Sequence, residues 1–167
     1  GGGCRGFGLA AGRGAARVPG GTLGRGHGFA DLVAGLGAMR GVVQRGIRPY
    51  VLRLYDTEDT AFQGADANGC LLVVGTAGEP GVAVAAMDVV EDRCVAAGGR
   101  DLGEQPFLRW EERLFHLSRE RLLDALQAPG SFLDTSEVAA SWDQLRSLHP
   151  EVNTVLPGEA TCLCHLS

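Results

Sequence analysis

The sequence predicts an α+β fold in which helices cover one face of an antiparallel sheet. From Phe29 onward, segments with helical and strand periodicity follow one another in the order helix, strand, strand, helix, then further helices and a last strand. The chain has 167 residues, 45% of them hydrophobic, which is enough for one ordinary core. We therefore expect a single folded domain that spans residues 29–167.

Residues 1–28 differ in composition from the rest, because 12 of them are glycine. Glycine loses more backbone entropy on folding than any other residue, so we expect this segment to be disordered. The run Gly6–Gly12 imitates a dinucleotide-binding glycine loop, but such a loop needs a buried strand before it. Gly-Gly-Gly-Cys-Arg precedes it here, so we do not expect it to bind a nucleotide.

The first predicted helix and strand follow directly. Leu32, Leu36, Met39 and Val43 recur at helical spacing, and Gly46 is well placed to end the helix. The strand that follows covers Arg48–Asp56.

This strand carries an arginine at its centre. Period-2 alternation puts Tyr50, Leu52 and Leu54 on one face, and Val51, Arg53 and Tyr55 on the other. If Arg53 points inward, it requires an anion or a carboxylate, because an unpaired buried charge is costly. If that face is exposed to solvent, Arg53 is simply hydrated. The pattern alone leaves both possibilities open.

The later elements complete the sheet and its helices. Cys70–Val74 is continuously apolar, as in a central strand buried on both faces. A helix is predicted over 82–97, with Val82, Ala86, Val89 or Val90, and Cys94 toward the core. A second helix is predicted over 104–127, and a third follows a capping box of Asp134 and Glu137 and ends at Pro150. A last strand is predicted over 161–166. With one more strand before Phe29, the order would be the βαββαβ of a ferredoxin-like fold, so we expect an incomplete sheet of that type.

Composition excludes several classes of function. The net charge of -5 argues against a nucleic-acid partner, and all 15 basic residues are arginine, which rules out lysine chemistry. Neither a secretory signal nor an apolar run of membrane-spanning length is visible. The five cysteines lack paired spacing, so we expect a reduced, cytoplasmic protein without a membrane span.

The cysteines and histidines do not predict a catalytic or metal site. Cys162 and Cys164 share a face of the last strand while His165 points away, so at most two ligands converge there. We expect these cysteines to pack as small apolar residues. His149, before Pro150, is expected at a helix C-terminus, and we predict no catalytic side chain.

Several short motifs, in their order and spacing, carry a resemblance to a known family. They are Arg48-Pro49, Leu52–Asp56, Gly69–Leu72, Gly98–Gly103, Trp110-Glu111, Asp134–Glu137, Ser141-Trp142 and Cys164–Ser167. On these residues the chain resembles the C-terminal (cap) domain of FAD-linked oxidases of the vanillyl-alcohol-oxidase type. It is most similar to bacterial proteins of the alkyldihydroxyacetonephosphate synthase type.

The resemblance implies a domain that covers the isoalloxazine of FAD, with the FAD held by a separate domain absent from this chain. It also implies that Arg53 lies at the substrate site and meets a phosphate or carboxylate. Because the cofactor carries the redox step, we do not expect this chain to be active alone. The absence of the flavin domain leads us to expect a fragment of a longer enzyme.

Two functions remain as hypotheses. The first is the substrate-covering part of an FAD-dependent oxidoreductase or alkylglycerone-phosphate synthase-like enzyme that acts on a small anionic substrate. The alternative is a stand-alone, non-catalytic α+β binding or regulatory module, with a homodimer formed through the open sheet edge.

Overall fold

The computed structural model describes residues 21–65, 67–116, 136–155 and 162–167. Its helices and strands are, in chain order, β1 Gly21–Phe29, α1 Leu32–Gln44, β2 Val51–Tyr55, α2 Thr57–Phe62, β3 Cys70–Gly78, α3 Pro80–Ala96, β4 Arg100–Asp101, α4 Gln105–His116, α5 Trp142–Val155 and β5 His165–Leu166.

The strands form one open antiparallel sheet in the order β4-β1-β3-β2-β5. The first four strands and the helices α1 and α3 give the βαββαβ order of a ferredoxin-like fold, with the short α2 inserted between β2 and β3. The predicted α+β class is therefore confirmed. The fifth strand pairs with β2 through two residues, Leu166 opposite Leu54 and His165 opposite Tyr55.

Strand β1 corrects the prediction that order begins at Phe29. Residues 21–29 pair along their whole length with β3, from Gly21 opposite Gly78 to Phe29 opposite Cys70. A strand can form in this glycine-rich segment because its non-glycine residues alternate with glycine. Leu23 and Phe29 pack into the core on one face, while glycines occupy the other face. The first strand of the fold is therefore present in this chain.

The main core lies between one face of the sheet and helices α1 and α3. Its buried members include Phe29, Leu36, Val42, Leu54, Leu72, Val90 and Cys94. Helix α3 turns Ala83, Met87, Val90 and Cys94 inward, so the prediction was right for Cys94 and wrong for Val82, which is 64% exposed.

A second core on the opposite face involves helix α4, so helices lie on both faces of the sheet and not on one face, as the sequence predicted. Phe107 is buried there against Val51, Leu71 and Val73, and Trp110 packs beside them. Phe107 and Trp110 thus anchor α4 to this face of the sheet.

Glycines in β1 and β3 let helix α4 lie directly on the sheet backbone. A Cβ built at Gly24 would stand 1.9 Å from Phe107 Cγ, and one at Gly26 would stand 2.4 Å from Pro106 Cγ. A Cβ at Gly75 would stand 2.7 Å from Phe107 Cε2. Side chains at these positions would push α4 off the sheet, which gives the alternating glycines of β1 a structural role.

Helix α5 begins and ends later than the sequence predicted. It starts at Trp142, where the Ser141 hydroxyl accepts a hydrogen bond from the Gln144 N–H at 3.4 Å, and the Gln144 side chain accepts one from the Ser141 N–H at 3.0 Å. Residues 136–141 are not helical, and Asp134 lies outside the described residues. Pro150 lies inside the helix instead of ending it.

Within the described residues, no helix is long and apolar enough to cross a membrane. The cytoplasmic location stays a prediction.

Candidate functional site

Arg53 and Tyr55 lie on the sheet face that carries α4. Tyr55 is buried in the second core with Val51, and alternation along β2 puts Arg53 between them. Arg53 is half-buried. The sequence predicted that Tyr50 shares a face with Leu52. It does not, because β2 begins only at Val51. The Tyr50 ring instead packs edge-on against Phe107 and Trp110, with ring centroids 6.2 and 5.9 Å away.

Two arginines act on the Tyr55 hydroxyl. Burial raises the pKa of Tyr55, and a nearby Asp59 carboxylate raises it further. Arg53 opposes this shift through its charge and a hydrogen bond to the hydroxyl, and Arg113 opposes it through its charge. The hydroxyl is therefore neutral and lies beside two guanidinium groups. We call Arg53, Tyr55, Asp59, Arg113 and His165 the Tyr55 cluster.

Hydrogen bonds tie the Tyr55 cluster to α2, α4 and β5. Arg113 donates through Nη2 to the Gln63 carbonyl at 2.7 Å and through Nη1 to Gln63 Oε1. Gln63 Nε2 donates to Asp59 Oδ1 at 2.8 Å, and Asp59 Oδ2 lies 3.4 Å from His165 Nδ1. The His165 ring also packs against Tyr55, with centroids 5.9 Å apart. Arg113 is therefore held in place, with its guanidinium engaged by Gln63.

Arg53 is the less constrained of the two arginines. Within the part of the chain that the structure describes, no carboxylate lies within ion-pair distance of its guanidinium. A half-buried guanidinium in that situation has donors left for an anion, and its planar fork matches a carboxylate or phosphate. Two surface hollows of about 220 and 280 Å³ lie elsewhere, beside β1 and α3 and beside α5, and Arg53 lines neither.

A second group of polar side chains meets at the end of β2. Asp56 follows β2 and is 2% exposed, and its Oδ2 lies 3.0 Å from Nε2 of His149. Cys164, just before β5, joins them, so that one ligand atom from each residue lies within 4.8 Å of the others. No local spacing in the sequence indicates this group, because Asp56 and His149 lie 93 residues apart in the chain.

The cysteines divide into two environments. Cys70 and Cys94 are buried in the main core as free thiols, which confirms the predicted burial of the Cys70–Val74 strand and the predicted core position of Cys94. Burial raises the pKa of Cys94 to about 12. Cys162 and Cys164 are free and only half-buried. Burial, with the Asp56 carboxylate, raises the pKa of Cys164 to about 11. Cys4 lies outside the described residues.

His27 is a buried histidine that the sequence did not single out. It lies in β1, is 1% exposed, and neither ring nitrogen has a hydrogen-bond partner among the described residues. Burial lowers its pKa, Asp101 partly offsets the shift and Arg25 adds to it. His27 is therefore neutral at pH 7.

The loop-like run Gly6–Gly12 falls outside the described residues, as do 117–135.

A comparison with protein families matches residues 26–167 to the family described as FAD linked oxidases, C-terminal domain. No curated protein matches the chain.

Among solved structures, two crystal forms of alkyldihydroxyacetonephosphate synthase resemble this chain. The form in P1 superposes with a TM-score of 0.70 at 20% identity, over 89% of this chain and 33% of the synthase chain. The form in P212121 gives a TM-score of 0.71 at 20% identity, over 82% and 29%. These likenesses establish the fold. The chain spans about a third of the length of the structures it matches.

Proposed function

The chain belongs to the family of FAD-linked oxidase C-terminal domains, and from this premise we propose that it is the substrate-covering cap of an FAD-dependent enzyme. The enzyme would be an oxidoreductase or an alkylglycerone-phosphate synthase-like enzyme, and its substrate a small anion. Its FAD would be bound mainly by another domain, which is therefore this domain's principal partner.

The observation that carries the proposal is the position of Arg53. Its guanidinium is half-buried on a sheet face, beside the Tyr55 hydroxyl and near Arg113, and has no ion pair among the described residues. Placing a cation there without a counter-ion costs free energy unless an anion arrives. A phosphate or carboxylate of the substrate supplies that anion in our proposal, with Arg53 as its principal contact.

The N-termini of α1, α2 and α3 support a role beside FAD rather than one of binding its pyrophosphate. Helices α1, α2 and α3 each have their first turn capped by a carboxylate of the chain itself, from Asp31, Asp56 and Glu79. Pro80 also removes one backbone donor from α3. Negative charge at these positions competes with a phosphate for the same N–H groups. These three capped N-termini favour a pyrophosphate site on the partner domain.

Within this division of labour, the flavin supplies the redox chemistry when bound. Arg53 holds the anionic group of the substrate, and the neutral Tyr55 hydroxyl is available as a hydrogen-bond donor beside it. The aromatic side chains Tyr50, Phe107 and Trp110 flank the same face. The cap thereby orients the substrate and shields it from water, without contributing a covalent step of its own.

Kinetics of Arg53 variants in the complete enzyme test this proposal. We expect Arg53→Ala to lower kcat/KM for an anionic substrate by roughly 100-fold and to raise KM, because a charge-assisted contact is lost. Arg53→Lys should recover part of the loss, since it restores the charge without the bidentate geometry.

Arg48→Ala is the matched control, because Arg48 is an exposed arginine just ahead of the same strand. We expect its kinetics to stay within about twofold of the wild type. If Arg53→Ala leaves kcat/KM unchanged in a variant enzyme that stays folded, Arg53 does not bind the substrate.

A further inference from the structure

Asp56, His149 and Cys164 bring three kinds of metal-binding atom together from three separate elements. Asp56 leads from β2 into α2, His149 lies in α5, and Cys164 precedes β5. The Asp56 N–H donates to the Cys164 carbonyl at 2.9 Å, which fixes the two backbones side by side. We propose that these three residues form a tridentate site for a transition-metal ion of the Zn²⁺ class, which clamps α5 and β5 to the end of β2.

The distances suit such an ion. Zn²⁺ binds oxygen, nitrogen and sulfur at about 2.0–2.3 Å, so its tetrahedral ligand atoms lie about 3.3–3.8 Å apart. In the structure, the Asp56 and His149 atoms are 3.0 Å apart and all three ligand atoms lie within 4.8 Å of one another. Side-chain adjustments of about 1 Å or less close this arrangement around an ion. Because the His149 side chain is 21% exposed, water can reach the fourth position.

The carboxylate of Asp56 is already oriented for this role. Its Oδ1 accepts a hydrogen bond from the Asp59 N–H at 2.7 Å and caps α2, which leaves Oδ2 directed at His149. Such a second hydrogen bond is the usual support of a metal-binding carboxylate. Since the side chain is 2% exposed, it has little freedom to turn away.

A simple Asp56–His149 ion pair accounts for only two of the three residues. Among the described residues, the Cys164 sulfur has no hydrogen-bond partner, although it lies beside a carboxylate and an imidazole. A metal ion gives that sulfur a bonding role. On binding, the Cys164 thiol loses its proton to solvent and a metal–sulfur bond forms, while Asp56 binds as a carboxylate and His149 as a neutral imidazole.

Titration of the full chain with Co²⁺, under reducing conditions and without a thiol reagent, tests the proposal. We expect one equivalent to bind and to produce the near-ultraviolet charge-transfer absorption of a thiolate–Co²⁺ bond, which Zn²⁺ then abolishes by displacement. Cys164→Ser should eliminate this absorption. His149→Gln, which retains a hydrogen-bond donor for Asp56, should weaken binding by about 10- to 100-fold or more.

Cys162→Ser is the matched control, because Cys162 is also a half-buried thiol of the same segment. It should bind Co²⁺ as the wild type does, and circular dichroism should show that every variant stays folded. The proposal is overturned if the folded wild-type chain binds no stoichiometric Co²⁺. It is equally overturned if the absorption survives Cys164→Ser or depends on Cys162 instead.

Discussion

At the scale of single residues, the environment of each side chain decides what its chemistry can be used for. Arg53 and Arg25 illustrate the difference. Arg25 lies between Glu91 and Asp101 at 3.1 and 3.2 Å, so its charge is paired within the chain and holds α3 and β4 to β1. Arg53 lacks such partners in the described part of the chain, and is therefore the arginine that we assign to an external anion.

His27 supplies a pH-dependent contribution to stability. Because burial lowers its pKa in the folded chain, the unfolded chain binds a proton more readily below its ordinary pKa of about 6.5. The free energy of unfolding should therefore fall as the pH drops below about 6.5, by up to about 1.4 kcal/mol per pH unit, until His27 protonates in the folded state. Urea denaturation at several pH values measures this slope.

The variant His27→Leu isolates the contribution of this one group. It fills the buried position without a titratable ring, so its stability should depend less steeply on pH between 5 and 6.5 than that of the wild type. Equal slopes for the two proteins would show that His27 is not the group responsible.

At the scale of elements, β1 shows how a strand can be hidden in a glycine-rich sequence. Leu23 and Phe29 face the core, as a period-2 pattern requires, but the intervening glycines lower the strand propensity and suggest disorder. The reason for the glycines lies in α4, which is distant in sequence and packs against their backbone. The period-2 pattern of the strand was present in the sequence, whereas the packing of α4 that explains the glycines could not be predicted from it.

A methyl group on this strand tests the contact with α4. Gly24→Ala should destabilise the chain by about 1–3 kcal/mol, because its Cβ would overlap the Phe107 ring at 1.9 Å. Gly21→Ala, in the same strand, meets nothing within 4 Å and should change stability by less than about 0.5 kcal/mol. Urea midpoints compare the two. Equal effects would mean that α4 does not rest on the β1 backbone.

The ends of helix α5 show that local sequence signals can be present and still be ambiguous. Its Ser141–Gln144 capping box was available in the sequence, but Asp134 and Glu137 match the same pattern earlier in the chain. Pro150 is an equally ambiguous stop signal, because it is tolerated inside this helix. The convergence of His149 with Asp56 and Cys164 follows from how α5 docks, which no spacing in the sequence encodes.

At the scale of the whole molecule, the elements differ in how firmly they are packed into the fold. Strand β3 is central, paired on both sides, and buried except at its last two residues. Helix α5 has no fully buried residue, and is held by partly buried Trp142 and Leu145, by the His149–Asp56 contact at 3.0 Å and by the exposed Arg40–Asp143 ion pair at 3.1 Å. Exposed ion pairs of this kind contribute little stability. The pairing of β1 and β2 with β3 followed from the predicted elements once β1 was present. The two-residue strand β4 was not among those elements, and the attachment of α5 and β5 was not predicted either.

Amide hydrogen exchange in metal-free buffer should reflect this difference. We expect amides of β3 to exchange only through global unfolding and those of α5 to exchange at least about 100-fold faster through local opening. Similar protection in both elements would contradict the weak docking that the structure shows for α5.

The most direct test of the central claim, that this chain caps a flavin site with Arg53 toward an anion, is a flavin absorption titration. The complete enzyme is titrated with an anionic substrate analogue, as wild type and as Arg53→Ala. We predict that the analogue perturbs the flavin spectrum and binds roughly 100-fold more weakly to the variant. A complete protein that binds no flavin, or equal affinity in the two proteins, would contradict the account.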